Sequence, residues 1–392
     1  MKHLKKIAAF AVTVFSLAAC QKDNKLFSST ENENAETGTV SVTRNESPDN
    51  FGGGGKRVYA LSNEVSGNNV IEYSRANDGF LTISTSYITG GTGTGGGLGN
   101  QGAVILTDDN RAVLAVNAGS NSISSFKVNA NGLQLKSTIS SGGMRPVSIA
   151  QHDDIVFVLN AGGTNNISGF KLNDNGKLQS IANSTRPLSA ASTGPAQVSF
   201  VNDGKVLVIT EKATNKIVTY TVNEYGMPGV MHTVTSSSPT PFGFAPAEYG
   251  NVFVSEAVGG APGASVLSSY HISYNGAISL INGSVGAGQS AACWVVITKN
   301  GKYAYTTNTA SNNLSNFNVN TGTGSISVNT AIAATSDMGP IDAALSNNSK
   351  YLYILNSGSH SIGVYAVANN GSLSNIQTVT GLPPGATGLA AR

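Results

Sequence analysis

The chain has 392 residues, of which only 11% are charged, and its formal net charge is +2. A charged fraction far below the roughly 25% of an ordinary soluble domain, with aromatics scattered rather than set among basic clusters, excludes a nucleic-acid platform or a strongly acidic partner. The 46 glycines fit many short strands joined by tight turns, and two cysteines, Cys20 and Cys293, exclude both a disulfide framework and a multi-cysteine metal site.

Residues 1–20 read as a lipoprotein signal. Lys2, Lys5 and Lys6 form a basic start, Ile7 to Ala18 is an apolar run too short to span a bilayer comfortably, and Leu17-Ala18-Ala19-Cys20 has the small residues that precede a lipidated cysteine. Lipid on Cys20 would hold the protein at a bacterial membrane, on the periplasmic or the outer surface, without a transmembrane helix. Residues 21–55 are rich in Asn, Ser, Thr, Glu and Gly and lack apolar periodicity, as a disordered tether would.

From residue 56 to 392 the chain repeats. Short apolar runs end at Asn63, Asn117, Asn160, Glu211, Glu256, Asn308 and Asn356, at intervals of 43 to 54 residues, which is the spacing of propeller blades. The third repeat shows the internal order: Arg145–Ile149, a His152-Asp-Asp turn, Ile155–Asn160, an alternating Ile167–Leu172, the turn Asn173–Gly176, and Lys177–Ile181. Four strands joined by hairpin turns make one antiparallel blade. Repeats two to seven each open with an inner strand, whereas the first has none and a strand is left over at Gly385–Ala391. The expected fold is therefore all-β: a seven-bladed propeller of four-stranded antiparallel blades, its ring closed by the C-terminal strand.

These repeats resemble the seven-bladed lactonase-type propellers, which include 6-phosphogluconolactonases and carboxymuconate-cyclising enzymes and are related to YVTN-repeat surface proteins. The resemblance covers about residues 56–392 and is carried by Tyr305-Thr-Thr-Asn308, Val158-Leu-Asn160, Gly194-Pro195, the turn Asn202-Asp-Gly-Lys205 and the glycine-rich stretch Thr89–Gly102. It implies an active site with a His and an Arg on inner strands and a Glu ending a second strand. Glu211 matches the Glu, but the family's Gly-Pro-Arg-His reads Gly194-Pro195-Ala196-Gln197 here.

The loops after second strands and before inner strands share the face around the channel mouth, where propellers usually bind ligands. Arg145, Gln197, Glu211, Lys212, Glu256, Trp294, Asn308 and Asp342 fall there. A lactonase would use Glu211 as general base, with Arg145 or Gln197 stabilising the oxyanion. The alternative for Glu211 and Glu256 is a satisfied ion pair with Arg145 or Lys212. The strand-end Asn residues read as turn formers bonded to their own backbone, and Trp294 and Cys293 as core. Trp294 exposed at the mouth could instead stack on a sugar. None of the five histidines has metal-ligand spacing, and no cofactor is implied. The segment Gly90–Gly102 lacks the helix and Lys-Ser/Thr of a nucleotide loop and reads as a wide, flexible loop over the channel.

Two functions follow as expectations. One is hydrolysis of a small cyclic ester by a monomeric envelope lipoprotein. The other is a non-catalytic propeller that binds a sugar, peptide or protein partner.

Overall fold

The computed structural model describes residues 56–392. The proposed signal, Cys20 and tether lie outside the described residues. Seven sheets surround a central channel, each antiparallel and each led from the axis outward by an inner, second, third and outer strand. In blade 4 these are Pro195–Val201, Val206–Glu211, Lys216–Val222 and Pro228–Thr235. Blade 1 is completed by the C-terminal strand Thr387–Ala391, which pairs with Arg57–Leu61 as the innermost strand. The leftover strand read from the sequence thus closes the ring, and no inner edge of blade 1 is left unpaired.

The strands differ because their surroundings differ. Second strands are sandwiched between neighbouring blades on both faces, so Val206-Leu-Val-Ile209 and Val156-Phe-Val-Leu159 are buried without alternation. Outer strands are exposed along most of their length. Blade 3 departs from the regular pattern: its outer edge is broken into Leu178–Ser180 and Arg186–Pro187, both paired with Asn166–Leu172. The predicted fourth strand Lys177–Ile181 is therefore shorter than expected, because the chain leaves the ladder through a turn in which the Ser184 hydroxyl bonds the Gly169 backbone.

Adjacent blades are latched by their third-to-outer hairpins. Gly176, Gly276 and Gly371 take positive φ in these turns. Their carbonyls accept from Ser125 Oγ at 2.7 Å, Thr219 Oγ1 at 2.6 Å and Tyr305 Oη at 2.8 Å, each on the preceding blade. A polar group buried between blades is thereby satisfied, which is what lets Ser and Thr occupy a third strand's hidden face.

Pro195, Pro241 and Pro340 open their inner strands, and Pro146 is the third residue of Met144–His152; a missing N–H costs nothing there at a sheet edge. The residue before each of these prolines, and before Ala292 in blade 6, is left-handed: Arg145 (φ 51°), Gly194 (56°), Thr240 (63°), Ala291 (55°) and Gly339 (71°). Asparagines of the second-to-third turns tie these loops down. Asn121, Asn215 and Asn312 accept from the N–H groups of Arg145, Thr240 and Gly339 at 2.7–2.8 Å.

Candidate functional site

An inner strand is an edge strand whose free N–H and C=O groups face the channel, and they need partners if the channel is to be dry. In blades 3, 4 and 7 the side chain one step past the inner-strand bulge reaches round to the next blade. Ser148 Oγ accepts from Val198 N–H at 3.2 Å. Gln197 donates to the Phe244 carbonyl at 2.9 Å and accepts from the Phe244 N–H at 2.6 Å, so its amide acts as a short extra strand. Asp342 accepts from Ala343 N–H at 2.7 Å, and the amides of Gly388 and Leu389 approach it from the closing strand.

Blade 5 has Gly243 where such a side chain would stand, and the gap is filled from the glycine-rich segment. Gln101 accepts from Val295 N–H at 3.3 Å and donates to the Val295 carbonyl at 3.0 Å. Its own N–H donates to the Ala196 carbonyl at 3.1 Å. A Cβ at Gly243 would lie 2.3 Å from Gln101 Oε1. Asn100 is fully buried; its carbonyl accepts from Trp294 Nε1 at 2.6 Å and its amide donates to the Val147 carbonyl. Residues 98–102 therefore form a plug hydrogen-bonded to blades 3, 4 and 6. The expected wide loop is corrected on this point: the inner edges supply unpaired backbone groups, and Asn100 and Gln101 are spent on them.

The predicted site residues share the expected face but not one cavity. Glu211 is fully buried. Oε1 accepts from Ser189 N–H at 2.9 Å; Oε2 accepts from the Ser189 hydroxyl and from Thr214 Oγ1 at 2.5 Å. Glu256 is also fully buried, accepting from Ser268 Oγ at 2.7 Å and Tyr270 Oη at 3.0 Å. Burial pushes its carboxyl above the usual range, against the pull of these bonds. Neither Glu forms an ion pair with Arg145 or Lys212 among the described residues. The exceptions to the Asn rule thus follow from what each strand end faces. At Glu211 the incoming loop offers the Ser189 N–H and hydroxyl, and at Glu256 the third strand offers the Ser268 and Tyr270 hydroxyls, whereas Asn160 meets the Ser141 carbonyl and donates to it at 3.1 Å.

The Asn residues correct a second expectation. Asn117 donates to Ser122 and Ser124, and Asn308 to Asn313 Oδ1 and Ser315 Oγ, both at 2.8 Å. They tie second strand to third, and the left-handed turn residue stands four positions on, at Asn121 and Asn312. Trp294 is core, 2% exposed beneath the plug and packed on Phe242 at 5.1 Å between centroids.

Asp342 is enclosed and its Oδ2 has no hydrogen bond of good geometry. Burial holds its carboxyl well above the usual range, and the nearby amides oppose this only in part. Lys212 crosses the mouth: its amine donates to the Gly99 carbonyl and sits 4.4 Å from the Phe242 ring centroid. Burial, and then the charge of Arg145, push its pKa down to about 7. The Arg145 side chain is exposed.

Sequence reasoning missed Asn100 and Gln101. The glycines around them suggested only freedom, and the one available signal was two long amides inside a run of glycine. It also missed a concavity of about 390 Å³ on the opposite face, between blades 2 and 3, lined among others by Asp108, Asp153, Arg111 and Lys127. The paired acidic turns Asp108-Asp109 and Asp153-Asp154 were its only trace in the sequence.

A seven-bladed ring with polar side chains clamping a plugged channel defines a propeller whose loops, rather than its framework, carry any specificity. The family described as Lactonase, 7-bladed beta-propeller matches residues 25–190 and 266–389, and the chain belongs to it. The match lapses over 191–265, the stretch that holds Gln197, Glu211, Lys212 and Glu256. No curated protein matches the chain. Among solved structures, a candidate 6-phosphogluconolactonase from Bacteroides uniformis is similar at 16% identity and TM-score 0.67, covering 85% of this chain and 99% of that one. A second from Bacteroides fragilis gives 16% and 0.67, covering 88% and 100%. The periplasmic gluconolactonase PpgL of Pseudomonas aeruginosa gives 15% and 0.62, covering 85% and 98%. At these identities the likeness is one of fold.

Proposed function

We propose that this chain is a lactonase-family propeller that acts as a binding module, monomeric and anchored at the bacterial envelope through Cys20, with its ligand on the channel-mouth face. The observation that carries this reading is the state of Glu211. A general base needs a free lone pair within reach of water, and both Glu211 oxygens are buried and committed to Ser189 and Thr214. Gln197, which stands where the family pattern has a His, is likewise committed to Phe244. Lactone hydrolysis is the second reading, favoured by family membership and by the match of Glu211 to the family's Glu. It would require the Ser189 loop to release the carboxylate before each turnover.

The test is a panel of γ-, δ- and sugar lactones given to the purified full-length protein, with Glu211→Gln alongside. The binding reading expects hydrolysis at the spontaneous rate for both proteins and a lower melting temperature for Glu211→Gln. Turnover that disappears in Glu211→Gln while melting is unchanged would overturn it in favour of the lactonase.

A further inference from the structure

The face opposite the channel mouth carries the turns that join inner to second strands and third to outer strands. In blades 2, 3, 4, 6 and 7 the left-handed positions of the inner-to-second turn include Asn110, Asp153, Asn202 with Asp203, Gly301 and Ser349. Each is glycine or a short polar residue, the types that positive φ favours. Blade 5 breaks this rule. Tyr249 occupies the turn at φ 59°, followed by Gly250 at 72°. A bulky aromatic in this region is strained. Packing does not offset the strain, because Tyr249 is 73% exposed, the highest value for a large hydrophobic side chain among the described residues.

A second tyrosine stands at the same nexus. Gly250 packs on the blade 4 turn and on the end of its own blade's third strand: a Cβ there would lie 2.6 Å from Asn202 Oδ1 and 2.2 Å from the Ile272 carbonyl oxygen. Asn202 Nδ2 donates to that same carbonyl at 2.9 Å. Two residues past Ile272, Tyr274 reaches back over the seam between blades 5 and 4. Its hydroxyl donates to Asp203 Oδ2 at 3.2 Å, and Lys205 Nζ lies 5.3 Å from its ring centroid. The turn that carries it is latched to blade 4 through the bond from Thr219 Oγ1 to the Gly276 carbonyl. Tyr274 is thus fixed in place and still 59% exposed. Tyr249, Tyr274 and the polar turn Asn202–Lys205 therefore meet around the Ile272 carbonyl, on backbone that is held rigidly.

We propose that these turns form a carbohydrate-binding platform in which Tyr249 and Tyr274 stack on sugar rings of a neutral polysaccharide while Asp203 and Lys205 hydrogen-bond the ring hydroxyls. A sugar ring has C–H faces and a hydroxyl rim, which matches an aromatic face bordered by polar groups. Asp203 can accept and Lys205 can donate, and their opposite charges beside one ring leave no net charge to select an ion. A protein partner would need a closely packed apolar centre to its interface. Here the rings stand on exposed turn tips beside exposed Glu248, Asp203 and Lys205, a surface that suits successive stacking along an extended chain. The platform lies on the face opposite the ligand site proposed above and does not depend on it.

The experiment is affinity electrophoresis of the full-length protein through native gels containing amylopectin, galactomannan, arabinoxylan or mixed-linkage β-glucan, with polygalacturonate as an anionic arm. Retardation by at least one neutral polymer is expected, and the polymer that retards identifies the sugar backbone. Tyr249→Gly is the key variant. Its backbone suits φ 59°, so it should melt at or above the wild-type temperature while affinity falls by about tenfold or more, as for loss of a stacking ring. Tyr274→Ala should lose affinity similarly, whereas Tyr274→Phe, which keeps the ring, should retain most of it. The platform is refuted if no neutral polymer retards the protein, if Tyr249→Gly is retarded as strongly as wild type, or if polygalacturonate alone retards it. A dimer seen by light scattering that disappears in Tyr249→Gly, without retardation by any polymer, would assign the rings to a protein contact instead.

Discussion

Gly243→Ala tests the plug most directly. Gly243 is not in a left-handed conformation, so an alanine meets no backbone penalty and its effect is steric. The new Cβ would lie 2.3 Å from Gln101 Oε1, 2.6 Å from the Cys293 carbonyl oxygen and 3.0 Å from Trp294 Cα. The first contact expels Gln101 from its pair of bonds with Val295, a loss of about 2 kcal/mol at roughly 1 kcal/mol for each bond. The other two are overpacking against backbone, which costs about 1–3 kcal/mol. The expected total is on the order of 3–5 kcal/mol, read from urea unfolding followed by Trp294 fluorescence. Gln101→Ala alone removes the clamp without the clash and should cost about 2 kcal/mol. In the double variant the Cβ no longer displaces a clamp, so the two changes should couple by about 1–2 kcal/mol. Strict additivity, or a Gly243→Ala protein within about 0.5 kcal/mol of wild type, would refute the plug as a structural member.

Two further outcomes follow from the ring and from its buried acid. Removing residues 383–392 strips the inner strand from blade 1, exposing the edge of Arg57–Leu61 and discarding buried Leu389 and Ala390. The truncated protein should unfold or aggregate, and an unchanged melting transition would contradict closure by that strand. Asp342 has a folded-state pKa raised by burial, so the native state holds its proton over a pH range in which the unfolded chain has released it. Its contribution is therefore fully present below the unfolded pKa of about 3.9 and declines as pH rises toward the folded value. Asp342→Asn should raise stability at pH 7 relative to wild type and little at pH 4, seen in melting curves at the two values. A substitution that destabilises equally at both would show that the carboxylate is held charged.

Much of the fold could be read locally. Each blade repeats the same short strands and Asn-Gly turns within about fifty residues, so the chain states its architecture seven times, and a strand missing at one end and spare at the other implies closure. Glu211 and Glu256 stood out for the same reason, as departures from a repeated Asn. Which departures carry chemistry was not legible. The same residue type at the same repeat position is a base or a tie according to which groups the incoming loop presents, and Ser189 lies on a loop whose path depends on the broken outer edge of blade 3.

By itself, then, the sequence determined blade number, strand order, the closing strand and the face on which Arg145, Lys212 and Glu211 emerge, because these depend on periodicity and on turn residues close in the chain. The tertiary structure alone decided that Glu211 and Gln197 are engaged, that Lys212 crosses to the plug and that Gln101 occupies the gap beside Gly243. Gln101 and Val295 are 194 residues apart, and only closure of the ring brings an amide side chain to the unpaired edge of a strand so distant in sequence. Hydrogen-bond satisfaction in the channel is a property of the assembled ring, not of any one repeat.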